Sequence, residues 1–355
     1  MATMMEEVLQ QPAVLADVRK YYSSPGAIPI KLFRKLVRNW PPLVVFTGMG
    51  SSLFAAYPAQ AYLTSLGIRA LVWETAELLH YHLKILRPDT LLVAVSQSGE
   101  TVEIVRLLER VTPKLGIAAV VNVESSTLGK RGSLLLPMMS GHQIAVSTKT
   151  YMCSVAVLMY LAFAIAGESS RSLTQVLLQA IRAQERVLDQ QEVLIPPTVE
   201  FFDRPPYVAL MSRGADLSSV YQGALTLKEV ARVAAEPTSA AQFRHGAIEI
   251  VNPSHRYVVF AREHHNGRDP RSKIGRLLLK AAEDVRKCGG RVLLLTDLPS
   301  EPATNLRLIT VNPLKLGLGT LVDILHVQLL AHELAVRAGL EPGKFWIAKE
   351  VTREE

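Results

Sequence analysis

Ser96-Gln97-Ser98-Gly99-Glu100-Thr101 puts three hydroxyls, a side-chain amide and a glycine into six consecutive positions. The run follows the apolar stretch Leu91–Val95, which reads as a strand, and precedes Val102–Val111, which reads as a helix. Open α/β sheets bind ligands at such strand-to-helix turns. Gly99 lets the backbone come close to an anion, and the free amides of the first helical turn carry the positive end of the helix dipole. Ser96, Ser98 and Thr101 can then hold a phosphate without a lysine. A plain helix cap needs only one such hydroxyl; three of them beside Gln97 and Gly99 argue for anion binding.

Two further turns have similar character. Gly48-Met49-Gly50-Ser51-Ser52 follows the strand-like Leu43–Thr47, and it lacks the third glycine of a dinucleotide fingerprint. It is expected to bring Gly50, Ser51 and Ser52 to the crevice that Ser96 lines. Val146-Ser147-Thr148-Lys149 presents hydroxyls at the start of the apolar run Thr148–Ala166.

These turns need a scaffold, and the hydrophobic pattern supplies one. Leu43–Thr47, Arg69–Trp73, Leu91–Val95, Ala118–Val123 and Ser133–Pro137 read as strands. Between them Ala55–Ser65, Ala76–Leu86, Val102–Val111 and Thr148–Ala166 have helical patterns. Near-continuous apolar strands separated by helices predict a parallel sheet covered on both faces. Leu173–Gln191 reads as a connecting helix, and Ile195-Pro196-Pro197 as a boundary. The alternation resumes with strands Tyr207–Met211, Tyr257–Ala261, Arg291–Thr296 and Leu306–Thr310 and helices Leu217–Ala235, Ser272–Lys287 and Thr320–Ala338. The expected organisation is two tandem α/β domains, residues 1–195 and 196–355.

Composition narrows the function classes. The chain has 355 residues, half of them hydrophobic, with 39 Lys and Arg against 32 Asp and Glu. The surplus of +7 suits an anionic substrate, but the basic residues form no long run, so a nucleic-acid partner is not expected. The longest apolar stretch, Met152–Gly167, is shorter than the ~20 residues a bilayer span needs, and reads as a buried helix. The acidic start, Met1–Asp17, does not have a secretion-signal pattern, and Cys153 and Cys288 have no metal-type spacing. A cytoplasmic protein without membrane attachment is the expectation.

Gly48–Ser52, Ser96–Thr101 and Val146–Tyr151 together resemble the three sugar-phosphate-binding turns of sugar isomerase (SIS) domains. The likeness runs from about Val8 to the C-terminus and is greatest to the isomerase half of glucosamine-6-phosphate synthase and to stand-alone glucosamine-6-phosphate deaminases. It implies two tandem SIS domains, with Gly50, Ser51, Ser52, Ser96, Gln97, Ser98, Thr101, Val146 and Ser147 holding a sugar 6-phosphate. It also implies a homodimer that needs no metal and no other cofactor.

Three catalytic candidates come from the same resemblance. Leu225–Val230 is similar to the segment that carries the isomerase's catalytic glutamate, which makes Glu229 the base. By periodicity alone Glu229 is a solvated surface carboxylate, opposite the apolar stripe Ala224, Leu227 and Ala231. Phe243-Arg244-His245-Gly246 is similar to the histidine-glycine turn that opens the sugar ring, in relatives reaching a neighbouring subunit's site. Ala348-Lys349-Glu350-Val351-Thr352 resembles the synthase's end, whose lysine forms an imine with the open-chain ketose. The chain departs from the synthase at Gln222 and Thr226, where a glutamate and a lysine are expected, and at Gln143, where a glutamate is. A glutaminase domain is not expected, because Met1 is followed by Ala2 and not by the cysteine such a domain exposes. The implied activity is that of an isomerase or deaminase of an aminosugar 6-phosphate; a fructosamine-6-phosphate deglycase and a non-catalytic sugar-phosphate regulator remain as alternatives.

Overall fold

The apolar runs become strands buried on both faces. In the computed structural model, which describes residues 3–24, 26–29, 43–143, 146–263 and 273–347, β1 (Leu43–Gly48), β2 (Ala70–Glu74), β3 (Thr90–Ser96), β4 (Gly116–Val121) and β5 (Leu134–Pro137) form one sheet. Every residue of β3 and β4 is buried, as a central parallel strand under helices must be. A second sheet contains β6 (Val208–Ser212), β7 (Ala235–Ser239), β8 (Arg256–Ala261), β9 (Arg291–Thr296) and β10 (Leu306–Thr310). All pairings in both sheets are parallel.

The first sheet has the order β2-β1-β3-β4-β5 and the second β10-β9-β8-β6-β7. Counted from its own first strand, each is 2-1-3-4-5, the flavodoxin-like order. The equal spacing of elements along the sequence therefore reflects one topology used twice. The fold is α/β with two parallel five-stranded sheets flanked by helices.

The chain forms two compact units. One contains Ala13–Leu178; the other contains Gln179–Phe345 joined by the N-terminal residues up to Pro12. The core of the first sheet includes Val45, Leu92, Ala94, Ile117 and Ala119 under Leu78, Ile104 and Leu107. That of the second includes Met211, Tyr257, Val259 and Leu294 under Leu278, Ala282 and Val285. Helix Lys149–Ala166 has the length and apolarity of a membrane span, yet all but two of its residues are buried, the core helix that the sequence predicts.

Three features depart from the sequence reading. The helix expected to end at Ala235 stops at Ala231, where Arg232 takes a left-handed conformation with φ 54°. Ala235–Ser239 is instead an edge strand, and its Pro237 is tolerated because an edge strand has an unpaired side. Ile195-Pro196-Pro197 lies inside a helix, Gln191–Phe202. There the Thr198 hydroxyl donates to the Leu194 carbonyl at 2.8 Å. Helices Met4–Leu9 and Gln11–Tyr22 also lie where no element was expected.

Candidate active site

β1 and β3 are neighbours in register, from Leu43 opposite Thr90 to Thr47 opposite Ala94. The chain leaves β1 toward β2 on one side and leaves β3 toward β4 on the other. Such a switch point opens a crevice beyond the strands' carboxyl ends. Gly48 and Ser96 are the last residues of the two strands, so both predicted turns lie at this crevice. A Cβ on Gly48 would come within 2.9 Å of the Val95 carbonyl oxygen and 3.0 Å of Ser52 Cβ. Only glycine lets the two turns nest. Gly50, at φ 51°, then turns the chain into the short helix Ser51–Phe54, leaving Ser51 and Ser52 partly exposed.

The Ser96 turn is held by its own hydroxyls. Ser96 Oγ accepts from the Gly99 amide at 3.0 Å and lies 3.2 Å from Thr101 Oγ1, while Ser98 Oγ accepts from the Glu100 amide at 3.2 Å. An accepting hydroxyl keeps its proton for another partner. The Ser98 proton and one proton of the Ser96–Thr101 pair thus remain to be donated to a ligand. Gly99 adopts φ 67°, and a Cβ there would sit 2.0 Å from Ser126 Oγ. Glu100 turns away from this role: its carboxylate accepts from the amide and hydroxyl of Thr127, at 2.7 and 2.9 Å, and so caps the next helix.

Asn122 contributes to this site although its sequence context, the end of an apolar strand, gave no signal. Its amide donates to the Gln97 carbonyl at 3.1 Å, and its side chain holds Ser140 and the Gly141 carbonyl. It thereby ties the Ser96 turn to the segment beyond β5. That segment leads to Val146, which is buried, and Ser147, whose hydroxyl lies 2.8 Å from Thr150 Oγ1. Gln143 Oε1 accepts from the Thr148 and Thr150 amides at 3.3 and 2.9 Å. The side chain at this departure from the synthase pattern therefore caps helix Lys149–Ala166.

In the other unit, helix Leu217–Ala231 holds Glu229, and the surface reading from periodicity fails. Gln222 and Thr226, on the supposedly solvated face, are fully buried, and Gln222 Nε2 donates to Thr226 Oγ1 at 3.4 Å. Glu229 Oε2 is itself buried and has no hydrogen-bond partner among the described residues. Burial pushes the Glu229 carboxyl up to about 7 from its ordinary 4.5, against the weaker pull of Lys228. His245 is exposed on a turn completed by Gly246 at φ 111°, and its amide donates to Gln242. Lys349 lies outside the described residues. Among those residues no group of three or more His, Cys, Asp and Glu could hold a metal ion.

The second sheet has its own switch point, beyond β6 and β8, and its chemistry differs. Arg262, directly after β8, is 2% exposed and ion-paired to the fully buried Asp323. Its Nη1 donates to the Asn312 carbonyl at 3.0 Å, and Ser219 Oγ donates to Asp323 at 3.2 Å. Gly319 makes room for it, since a Cβ there would meet Arg262 Nε at 2.6 Å. Burial opposes the charge, but Asp323, Asp216 and Asp297 outweigh it and raise the Arg262 pKa.

Both α/β units share this strand order, and the first has a hydroxyl-lined turn at its switch point. Residues 39–166 match the SIS domain family. The chain is 26% identical over 367 residues to a glutamine–fructose-6-phosphate aminotransferase (isomerizing) of Bartonella henselae and 28% identical to one of Bradyrhizobium diazoefficiens. These matches take in 99% of this chain, which spans 59% of each relative's length. Its fold matches the C-terminal domain of a glucosamine-fructose-6-phosphate aminotransferase from Francisella tularensis, with a TM-score of 0.83 at 18% identity over 96% of this chain and 97% of that one. It also matches glucosamine-6-phosphate deaminase from Thermotoga maritima, with a TM-score of 0.71 at 17% identity over 99% of each chain.

Proposed function

We propose that this protein is a phosphosugar isomerase or deaminase acting on an aminosugar 6-phosphate in the cytoplasm. The observation that carries the reading is Glu229: a half-buried carboxyl, with one oxygen buried and partnerless and its pKa raised to about 7, is suited to proton transfer at neutral pH. In this reading the Ser96–Thr101 turn, with Gly50, Ser51, Ser52, Val146 and Ser147, holds the phosphate and sugar hydroxyls. Glu229 removes a proton from the carbon beside the carbonyl, leaving an enediol, and returns it to the neighbouring carbon. His245 carries the proton that opens the ring. Lys349 forms an imine with the open-chain ketose, the route by which an amine is exchanged or lost as ammonia while water supplies the carbonyl oxygen. The exposure of His245 suits a group that serves the partner's site in a homodimer, an assembly that sedimentation would test.

The direct test incubates the protein with a panel of hexose and hexosamine 6-phosphates and follows ammonia and ketose together. Ketose with ammonia identifies a deaminase, and aldose–ketose exchange without ammonia an isomerase. Tight binding across the panel with neither product would replace this reading with a sugar-phosphate sensor.

A further inference from the structure

The open edge of the second sheet borders a cavity of about 340 Å³. This volume lies within the roughly 300–1,000 Å³ typical of small-molecule sites. β10 contributes Arg307 to its lining, helix Arg171–Asp189 contributes Arg186, and helix Thr320–Arg337 contributes His326. A second hollow of about 270 Å³ shares Arg186 and Asn312 with it and adds Arg182. Three guanidinium groups line the two hollows, and no carboxylate does.

These charges are not already spent. Arg307 donates from Nε to Thr198 Oγ1 at 3.2 Å and from Nη2 to the Leu194 carbonyl at 3.4 Å, both neutral acceptors that fix the group without cancelling its charge. Arg182 and Arg186 are exposed and make no side-chain hydrogen bond or ion pair among the described residues. They are four residues apart, on one side of their helix. His326 is 4% exposed, and its Nδ1 lies 3.0 Å from the Val322 carbonyl. A carbonyl only accepts, so Nδ1 carries the hydrogen. Burial pushes the His326 pKa down to about 4, which keeps the ring neutral and leaves Nε2 an acceptor.

We propose that this cavity is a second ligand site, one that takes a small hydroxylated phosphate ester. The guanidiniums of Arg186 and Arg307 bind its phosphate, Arg182 widens the cationic entrance, and His326 Nε2 accepts from a hydroxyl. Arginine suits this task because its planar fork matches phosphate oxygens two at a time. The site needs none of the Ser96-turn residues, so it stands or falls separately from the reaction proposed above. Its occupancy would act on helix Thr320–Arg337, whose Asp323 holds both Arg262 and Ser219.

Calorimetry on the full chain tests this. In a Ser96→Ala/Ser98→Ala background, which weakens the first switch point, fructose 6-phosphate should still bind. Inorganic phosphate should bind more weakly, and fructose should give no heat. Adding Arg186→Glu should weaken fructose 6-phosphate about 10- to 100-fold, the scale of one lost charged hydrogen bond, whereas Arg186→Lys should keep most of the affinity. His326→Phe should bring fructose 6-phosphate down to the level of inorganic phosphate. Should the serine double variant not fold, Arg186→Glu alone must remove one of two binding events per wild-type chain. No phosphate binding in the double variant, or binding indifferent to Arg186→Glu, would overturn the site. An unchanged preference for the sugar ester in His326→Phe would overturn the hydroxyl contact.

Discussion

At the carboxyl ends of β1 and β3 the chain offers hydroxyls, amides and closely nested glycines. At the equivalent place in the second sheet, beyond β6 and β8, it puts its own guanidinium, Arg262, among Asp216, Asp297 and Asp323. The strand order is the same in both sheets, so topology alone produces the crevice in each. The side chains at the strand ends decide its use. The first crevice presents donors that satisfy one another only in part and can turn to an anion. In the second, a buried cation is already neutralised, and carboxylates would repel a phosphate. A duplicated fold can thus keep one ligand site and turn the other into structure.

The largest effect expected from this contrast is on folding. Arg262→Met leaves Asp323 buried without its counter-charge and should cost about 3–5 kcal/mol in chemical denaturation. A cost near zero would mean that the second crevice is as open as the first. Ser96→Ala with Ser98→Ala should instead spare the fold and weaken sugar-phosphate binding at the first crevice by about 1–3 kcal/mol per lost charge-assisted bond. Ser98→Ala is the cleaner single change, because Ser96 holds both the Gly99 amide and Thr101, and Ser98 only the Glu100 amide. If both serines can go without loss of affinity in calorimetry, the first crevice is not the phosphate site.

A smaller effect separates function from stability at Glu229. The folded carboxyl holds its proton up to about 7, against an ordinary value of 4.5. A raised carboxyl favours the fold only while protonated, so its contribution is lost as pH rises from about 4.5 to about 7. Above that range the buried charge costs on the order of 1–3 kcal/mol. Glu229→Gln should therefore be more stable than the wild type at pH 8, with the gap shrinking toward pH 5. Equal melting temperatures across that range would mean that Glu229 is an ordinary solvated carboxylate.

Much of this was legible in the sequence. The Ser96 turn was found from a few residues, because a strand, a glycine and three hydroxyls constrain one another locally. Most strands followed from their apolar runs. Glu229 shows the limit: its helix face looks polar by periodicity, but Gln222 and Thr226 are buried on it. Periodicity assumes that a polar face meets water, and here it meets protein. Asn122 and Arg262 were missed for a related reason. Their partners, Gln97 with Ser140 and Asp323 with Asn312, are distant in sequence, and no local pattern anticipates them. Edge strand β7 was hidden by the alanines that extend the preceding helix pattern, and the helix over Pro196 and Pro197 by prolines that usually end one.

The central claim is that Glu229 moves a proton on a bound sugar phosphate. Solvent-exchange NMR tests it most directly, with the protein in deuterium oxide and fructose 6-phosphate or glucosamine 6-phosphate as the substrate. The wild type should place deuterium on the carbon beside the carbonyl even where net conversion is small, at a rate that climbs as pH rises through about 7. Glu229→Gln should lower that rate about 10²–10⁴-fold with little change in the affinity for the phosphate ester. Exchange that survives Glu229→Gln, or a wild type that binds the ester tightly and exchanges nothing, would contradict the account.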